Sequence, residues 1–185
     1  MNPRARRALT VIATVVVIAA AAVVWQNLPT PPDITGPFDV YGEAGQRAAG
    51  RDVAATVTDV RISSHVDSVA PAGVWVVVDA TLEAPVTTEL PRSDLIVGPN
   101  TYTPTDRFFL KTLRGNVRPG IAQRGSWVFD VAPAVVEPGS SAPITLRVWT
   151  GYDEQLDSRL VIDVPLADAR RVQTVRLEAP VERAS

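Results

Sequence analysis

The chain reads as mainly β, a two-layer sandwich of seven to eight strands preceded by one N-terminal transmembrane helix. Three observations predict it. Apolar residues recur at every second position in short stretches from Arg51 onward, the period of a strand with one buried face. Prolines and glycines, 16 and 11 of them, separate those stretches where strands must turn. Ahead of them all, Ala8 to Trp25 runs without a charge, a glycine or a proline.

That leading run is eighteen residues long, so as a helix it would reach roughly 27 Å at ~1.5 Å per residue, close to the ~30 Å core of a bilayer. Arg4, Arg6 and Arg7 precede it, and no basic residue follows before Arg47. This asymmetry predicts a cytoplasmic N-terminus, a plasma-membrane signal-anchor and an extracytoplasmic remainder. A cleaved signal peptide, with Ala20 and Ala22 as its small-residue pair, is the competing reading. The expected organisation is then residues 1–7 inside, 8–28 as the spanning helix, 29–50 as a Pro-rich linker with a candidate edge strand, 51–178 as the sandwich and 179–185 as a frayed tail.

Within the sandwich, Val53, Ala55 and Val57 share one parity while Val60 and Ile62 take the other, which predicts a bulge near Thr58-Asp59. Gly73 to Glu83 carries the strongest alternation, Val74, Val76, Val78, Ala80 and Leu82 against Trp75, Val77, Asp79, Thr81 and Glu83. Asp94–Val97 and Thr101–Thr103 flank Gly98-Pro99-Asn100 as a hairpin. Ser126–Val131, Ile144–Trp149 and Leu160–Val164 alternate cleanly, and Val172–Leu177 does so weakly. One stretch reads as helix instead. Thr105 or Asp106 could cap residues 106–114, Gly115 would stop them, and Phe109, Leu110 and Leu113 would face the sandwich.

Two of these stretches, Gly73-Val74-Trp75-Val76-Val77-Val78-Asp79-Ala80-Thr81-Leu82 and Pro119-Gly120 followed by Gly125-Ser126-Trp127-Val128-Phe129-Asp130-Val131, carry a resemblance. The region from Asp52 to Pro165 resembles bacterial extracytoplasmic immunoglobulin-like domains of unknown function, often misnamed after a telomere-binding factor and similar in fold to mycobacterial secreted immunogenic β-sandwich proteins. The resemblance implies an immunoglobulin-like sandwich and export, and brings no catalytic residues. The chain departs from the family in having Ala84-Pro85 where an asparagine often follows the first strand. It also lacks the cysteine on which the family's lipoproteins are acylated.

Composition narrows the chemistry. The absence of cysteine removes disulfides, thiol catalysis and cysteine metal sites. His65 is the single histidine and Lys111 the single lysine, so a multi-histidine zinc centre is out and a histidine triad or Ser-Lys dyad has one candidate base each. His65 reads as a surface residue. Asp153, Glu154 and Asp157 crowd one turn, but their spacing lacks the alternating ligands and central glycine of a calcium loop. No cofactor or metal is expected. All twenty acidic residues but only fifteen basic ones lie beyond the leading run, and this acidic balance disfavours nucleic acid.

Against that balance stands a local excess of positive charge. Arg107, Lys111, Arg114, Arg118 and Arg124 occur with no acid between them, a candidate interaction patch for lipid head groups, an anionic envelope polymer or a membrane-protein partner. Trp127 belongs in the core by parity, whereas Trp75 and Trp149 fall opposite the aliphatic rows and call for covering loops. The expected function is a membrane-anchored extracytoplasmic binding or scaffolding module of the bacterial envelope, not an enzyme. A small carboxylate-dependent envelope hydrolase is the alternative from another class.

Overall fold

A computed structural model describes residues 3–28, 35–137, 143–151 and 156–184. It divides into two units, residues 1–36 and 37–185. The first contains helix α1, Pro3–Gln26, the element expected from the uncharged run. Its side chains are described from Val11 on and are exposed. Among the described residues no helix is long and apolar enough to cross a membrane.

The second unit is a two-sheet β-sandwich. Eleven strands are described rather than seven or eight: β1 Phe38–Glu43, β2 Arg47–Ala49, β3 Ala54–Val66, β4 Val74–Glu83, β5 Pro91–Val97, β6 Asn100–Tyr102, β7 Ile121–Val131, β8 Ile144–Thr150, β9 Ser158–Val164, β10 Arg170–Val175 and β11 Val181–Ala184. One sheet runs β1-β9-β8-β5-β6 and the other β10-β3-β4-β7-β11, with β2 on β3. The core strands are antiparallel, while β1 on β9 and β10 on β3 are parallel edges.

The period-two patterns select the faces. Val76, Val78, Ala80 and Leu82 of β4 and Trp127, Phe129 and Val131 of β7 meet Leu95, Val97, Ile144, Leu146, Val148, Leu160 and Ile162 of the other sheet, all at most 1% exposed. Each such aliphatic side chain contributes roughly 1.5–3 kcal/mol on leaving water. The parity change in β3 is a register shift between Val57 and Asp59, the expected bulge. It returns Val60 and Ile62 to the same inner face as Val57.

Several strands were not expected because their sequences carry too little apolar alternation to announce them. The residues expected as a frayed tail supply β11, which pairs Val181 with Arg124 and Ala184 with Ile121 through main-chain groups that any residue offers. For the same reason β7 begins at Ile121, five residues before its alternation.

The helix expected over residues 106–114 is a correction. Only Phe109–Lys111 forms a single 3-10 turn, and Phe109 and Leu110 are 59% and 83% exposed. The main chain prefers to complete β7. Thr105 N–H donates to Val128 O at 2.8 Å and Leu113 N–H to Ser126 O at 2.9 Å, which serves the edge that β11 leaves open beyond Arg124. From this staple Leu113 drops into the inner core and Phe108 onto the outer face of the β4 sheet.

That outer face carries a second small core of Val66, Trp75, Val77, Phe108, Val128, Val175 and Leu177. Trp75 is fully buried there, as expected of an aromatic under a covering loop. Its indole Nε1–H donates to Val69 O at 2.9 Å.

Candidate functional site

The five basic residues of the candidate patch stand in different settings. Arg107 lies with its guanidinium 5.9 Å from the centre of the Trp75 ring, a cation over a π face, and reaches Ala70 O at 3.5 Å. Lys111 Nζ donates to Asp67 Oδ2 at 3.0 Å. Asp67 also accepts Leu177 N–H at 3.2 Å on its other oxygen, so one carboxylate ties the end of β3 to the covering segment and to the chain leaving β10. Lys111 and the Leu177 amide hold that carboxyl below its usual range against the opposing effect of burial. Arg114 is half-buried and donates to Pro104 O at 2.6 Å. Arg118 is exposed in the turn before β7.

Arg124 belongs to a different group. It lies on the outer face of β7 and lines a recess of about 440 Å³ with Arg61, Arg176, Arg183, Asp79 and Glu178 among its walls. Strand register explains the gathering. Arg124 is opposite Val181 of β11 and Thr81 of β4, and Ser126, two residues on, is opposite Asp79.

Inside the recess, Arg61 Nη2 lies 2.6 and 2.7 Å from the two carboxylate oxygens of Asp79. Ser126 Oγ–H donates to Asp79 Oδ1 at 2.6 Å. Asp79 is thereby occupied, and among the described residues Arg61 Nε stays buried without a hydrogen-bond acceptor, 3.8 Å from Asp59 Oδ2. Asp59 is taken by Arg170, whose hydrogen bond and charge, with the nearby Arg61 charge, hold its carboxyl below its usual range against the opposing effect of burial. Three exposed arginines, Arg124, Arg176 and Arg183, therefore face the recess, with Glu178 the only uncommitted acid among the described lining residues. Such an arrangement attracts an anion, since guanidinium forks pair with phosphate or carboxylate oxygens. Arg61, Arg176 and Arg183 carry no sequence signal, because β3, the segment after β10 and β11 bring them to Arg124 only once the sheet is formed.

The other sequence candidates are placed as follows. His65 is exposed on β3, its Nδ1 3.2 Å from Ser64 Oγ. Asp153 and Glu154 lie outside the described residues. Asp157 is half-buried, accepting Ser158 N–H at 2.6 Å and Thr150 Oγ–H at 3.3 Å. Among the described residues no group of three acids or histidines is placed to hold a metal.

Asp157 also faces Asp52. Burial first, then a hydrogen bond to Asp157 and the charges of Asp157 and Glu89, push the Asp52 carboxyl above its usual range, partly offset by Arg51. A raised folded-state value means that the native state binds the proton more tightly than the unfolded chain. The contribution is fully present below the unfolded value near 3.8 and is lost as pH rises through the raised one. Asp52→Asn should therefore be more stable than the wild type at pH 7, the difference closing below pH ~4. Thermal melts of both proteins across that range check it, and parallel melting curves at every pH would refute the shared proton.

A second concavity, of about 660 Å³, opens along β5. Its walls include Leu90, Arg92, Ser93, Pro104, Phe109, Leu113, Arg114, Trp127 and Trp149. Trp149, expected under a covering loop, is half-buried in this wall.

No protein-family model matches the chain, and no curated protein matches it. Among solved structures, it is similar to an uncharacterized β-sandwich protein from Clostridium difficile 630. That likeness has a TM-score of 0.46 and 13% identity over 74% of this chain and 99% of that one. It is also similar to a protein described as a "putative lipoprotein" from Staphylococcus aureus, with a TM-score of 0.39 and 6% identity over 72% of this chain and 95% of the other.

Proposed function

We propose that the chain is a membrane-anchored, extracytoplasmic, non-catalytic binding module of immunoglobulin-like kind, which holds a phosphate- or carboxylate-bearing component of the envelope. The observation that carries the reading is the recess in which Arg124, Arg176 and Arg183 converge beside an Asp79 already occupied by Arg61 and Ser126. Removing three hydrated arginines from one another's neighbourhood would be favourable, so an anion that neutralises them is the natural occupant. Arg118 and the exposed part of Arg107 extend the attraction at longer range, screened over ~8 Å at physiological salt. Support for the anchor comes from the eighteen uncharged residues Ala8–Trp25 behind three arginines, helical throughout.

One experiment tests site, side and anchor together. Spheroplasts carrying the full chain receive fluorescent polyglycerol phosphate from outside. The wild type should capture it at the membrane, and Arg124→Glu with Arg183→Glu should weaken capture at least tenfold, as should high salt. Equal capture by the double variant refutes the recess. Capture only after lysis refutes the extracytoplasmic side, and capture by protein released into the medium refutes the anchor.

A further inference from the structure

We infer that the concavity along β5 is a β-addition site, which takes up a single extended peptide segment of a partner protein as an extra strand beside Pro91–Asp94. This site is independent of the arginine recess. The inference rests on a mismatch in strand length. β5 is paired along its whole length with β8, from Pro91 opposite Thr150 to Val97 opposite Ile144. On its other side β6 covers only Leu95, Ile96 and Val97, opposite Tyr102, Thr101 and Asn100. Beyond Tyr102 the chain leaves the sheet, and by Thr105 its N–H donates to Val128 O on β7.

Hairpin geometry says which groups are left open. The turn Gly98-Pro99 has two residues, with Gly98 at φ +56°, and such a loop is closed by a hydrogen-bonded pair, here Val97 and Asn100. Hydrogen-bonded pairs alternate along an antiparallel ladder. Leu95 therefore exchanges its bonds with Tyr102, and the N–H and C=O of Ser93 point to the same side, past the end of β6. Among the described residues no loop main chain supplies a partner there. Ser93 is 7% exposed, and its Oγ also lacks a hydrogen-bond partner. One buried residue thus presents an amide, a carbonyl and a hydroxyl to a concavity of about 660 Å³. Buried main-chain groups are almost always paired, and the ligand that offers both a donor and an acceptor at strand spacing is another extended backbone.

The walls restrict the occupant further. The open edge is four residues long and faces Pro104, Phe109 and Arg114 across the concavity, so the edge of a second folded copy, with a sheet behind it, has no room, whereas one extended segment does. Side chains of an added strand alternate in direction. Those turned inward would meet Leu113 and Trp127, which are buried at the base, and those turned outward would meet Trp149 and Arg92. The expected ligand has apolar residues at every second position and aromatic or polar ones between.

The probe is a displayed random decapeptide library, panned against the full chain in detergent micelles. Selected peptides should share the alternating pattern, and their binding should slow exchange of the Ser93 amide, which is fast in the free protein. Ser93→Pro removes the open N–H but no bond of the β5–β8 ladder, as Pro91 does two residues earlier. It should fold, judged by an unchanged circular dichroism spectrum, and bind the peptides at least tenfold more weakly, with Ser93→Ala between it and the wild type. If Ser93→Pro fails to fold, amide exchange in the wild type decides alone. A Ser93 amide protected in the free protein, peptides bound equally by a folded Ser93→Pro, or binding of oligosaccharides and not of peptides would each overturn the inference.

Discussion

Trp75→Ala should cost the sandwich roughly 3–5 kcal/mol, the range for truncating a fully buried large aromatic. Against a total stability of ~5–15 kcal/mol and a scaling of ~2–4 °C per kcal/mol at this size, the melting midpoint should fall by roughly 6–20 °C. The indole is 0% exposed, meets the Phe108 ring edge-on at 5.7 Å between centres, donates to Val69 O and lies under the Arg107 guanidinium. All three partners belong to segments outside β4, so the substitution opens a cavity and also releases the covering segment. Trp75→Phe should recover much of the loss, because a ring remains under Phe108 while Val69 O keeps the Val66 N–H as a donor. Urea unfolding together with near-ultraviolet circular dichroism measures both effects. A loss below ~1 kcal/mol would show that Phe108 and Arg107 are not seated on this ring.

Arg147→Met should be nearly as damaging for a different reason. Asp94 and Arg147 are opposite one another in β5 and β8, on the face turned away from the main core. The guanidinium forks onto the carboxylate, Nε at 2.7 Å from Oδ1 and Nη2 on Oδ2. The Asp94 side chain is only 7% exposed, so removing its partner leaves a charge that neither water nor protein compensates. Breaking such a pair costs about 3–5 kcal/mol, whereas replacing both partners by apolar residues of similar volume is often neutral or stabilising. Asp94→Leu combined with Arg147→Met should accordingly return to within ~1 kcal/mol of the wild type. A single variant as stable as the wild type at pH 7 would mean that water reaches Asp94 freely.

Substitutions at the basic residues separate folding from binding. Arg107 and Lys111 pair with Trp75 and Asp67, so their substitution is expected to loosen the segment that closes the edge of β7. Arg124 and Arg183 make no ion pair among the described residues, and exposed charges of that kind contribute little to stability. A binding defect in the latter pair with an unchanged midpoint would therefore report on the recess itself.

The strands with one buried face were legible in the amino-acid sequence because burial on one side imposes a period of two. Val74 to Glu83, Ser126 to Val131, Ile144 to Trp149 and Leu160 to Val164 all lie in strands, and the parity change after Val57 located the bulge. Helix formation over the uncharged run was legible for the same kind of reason, a composition with no breaker. Strands β1, β2 and β11 were not plainly legible, because edge strands are held by main-chain hydrogen bonds that leave little mark on side-chain choice. The turn at Phe109–Lys111 replaced a helix because Thr105 and Leu113 satisfy the open edge of β7, a demand that exists only once β7 is in its sheet. Charge behaved likewise. Arg107, Lys111 and Arg114 are neighbours in sequence, yet the fold commits each to a partner of its own, whereas Arg61, Arg124 and the pair Arg176 and Arg183 come from three distant parts of the chain and meet in one recess. Local period is a property of consecutive residues and can be read from them; the company a side chain keeps is set by strand register, which only the tertiary structure decides.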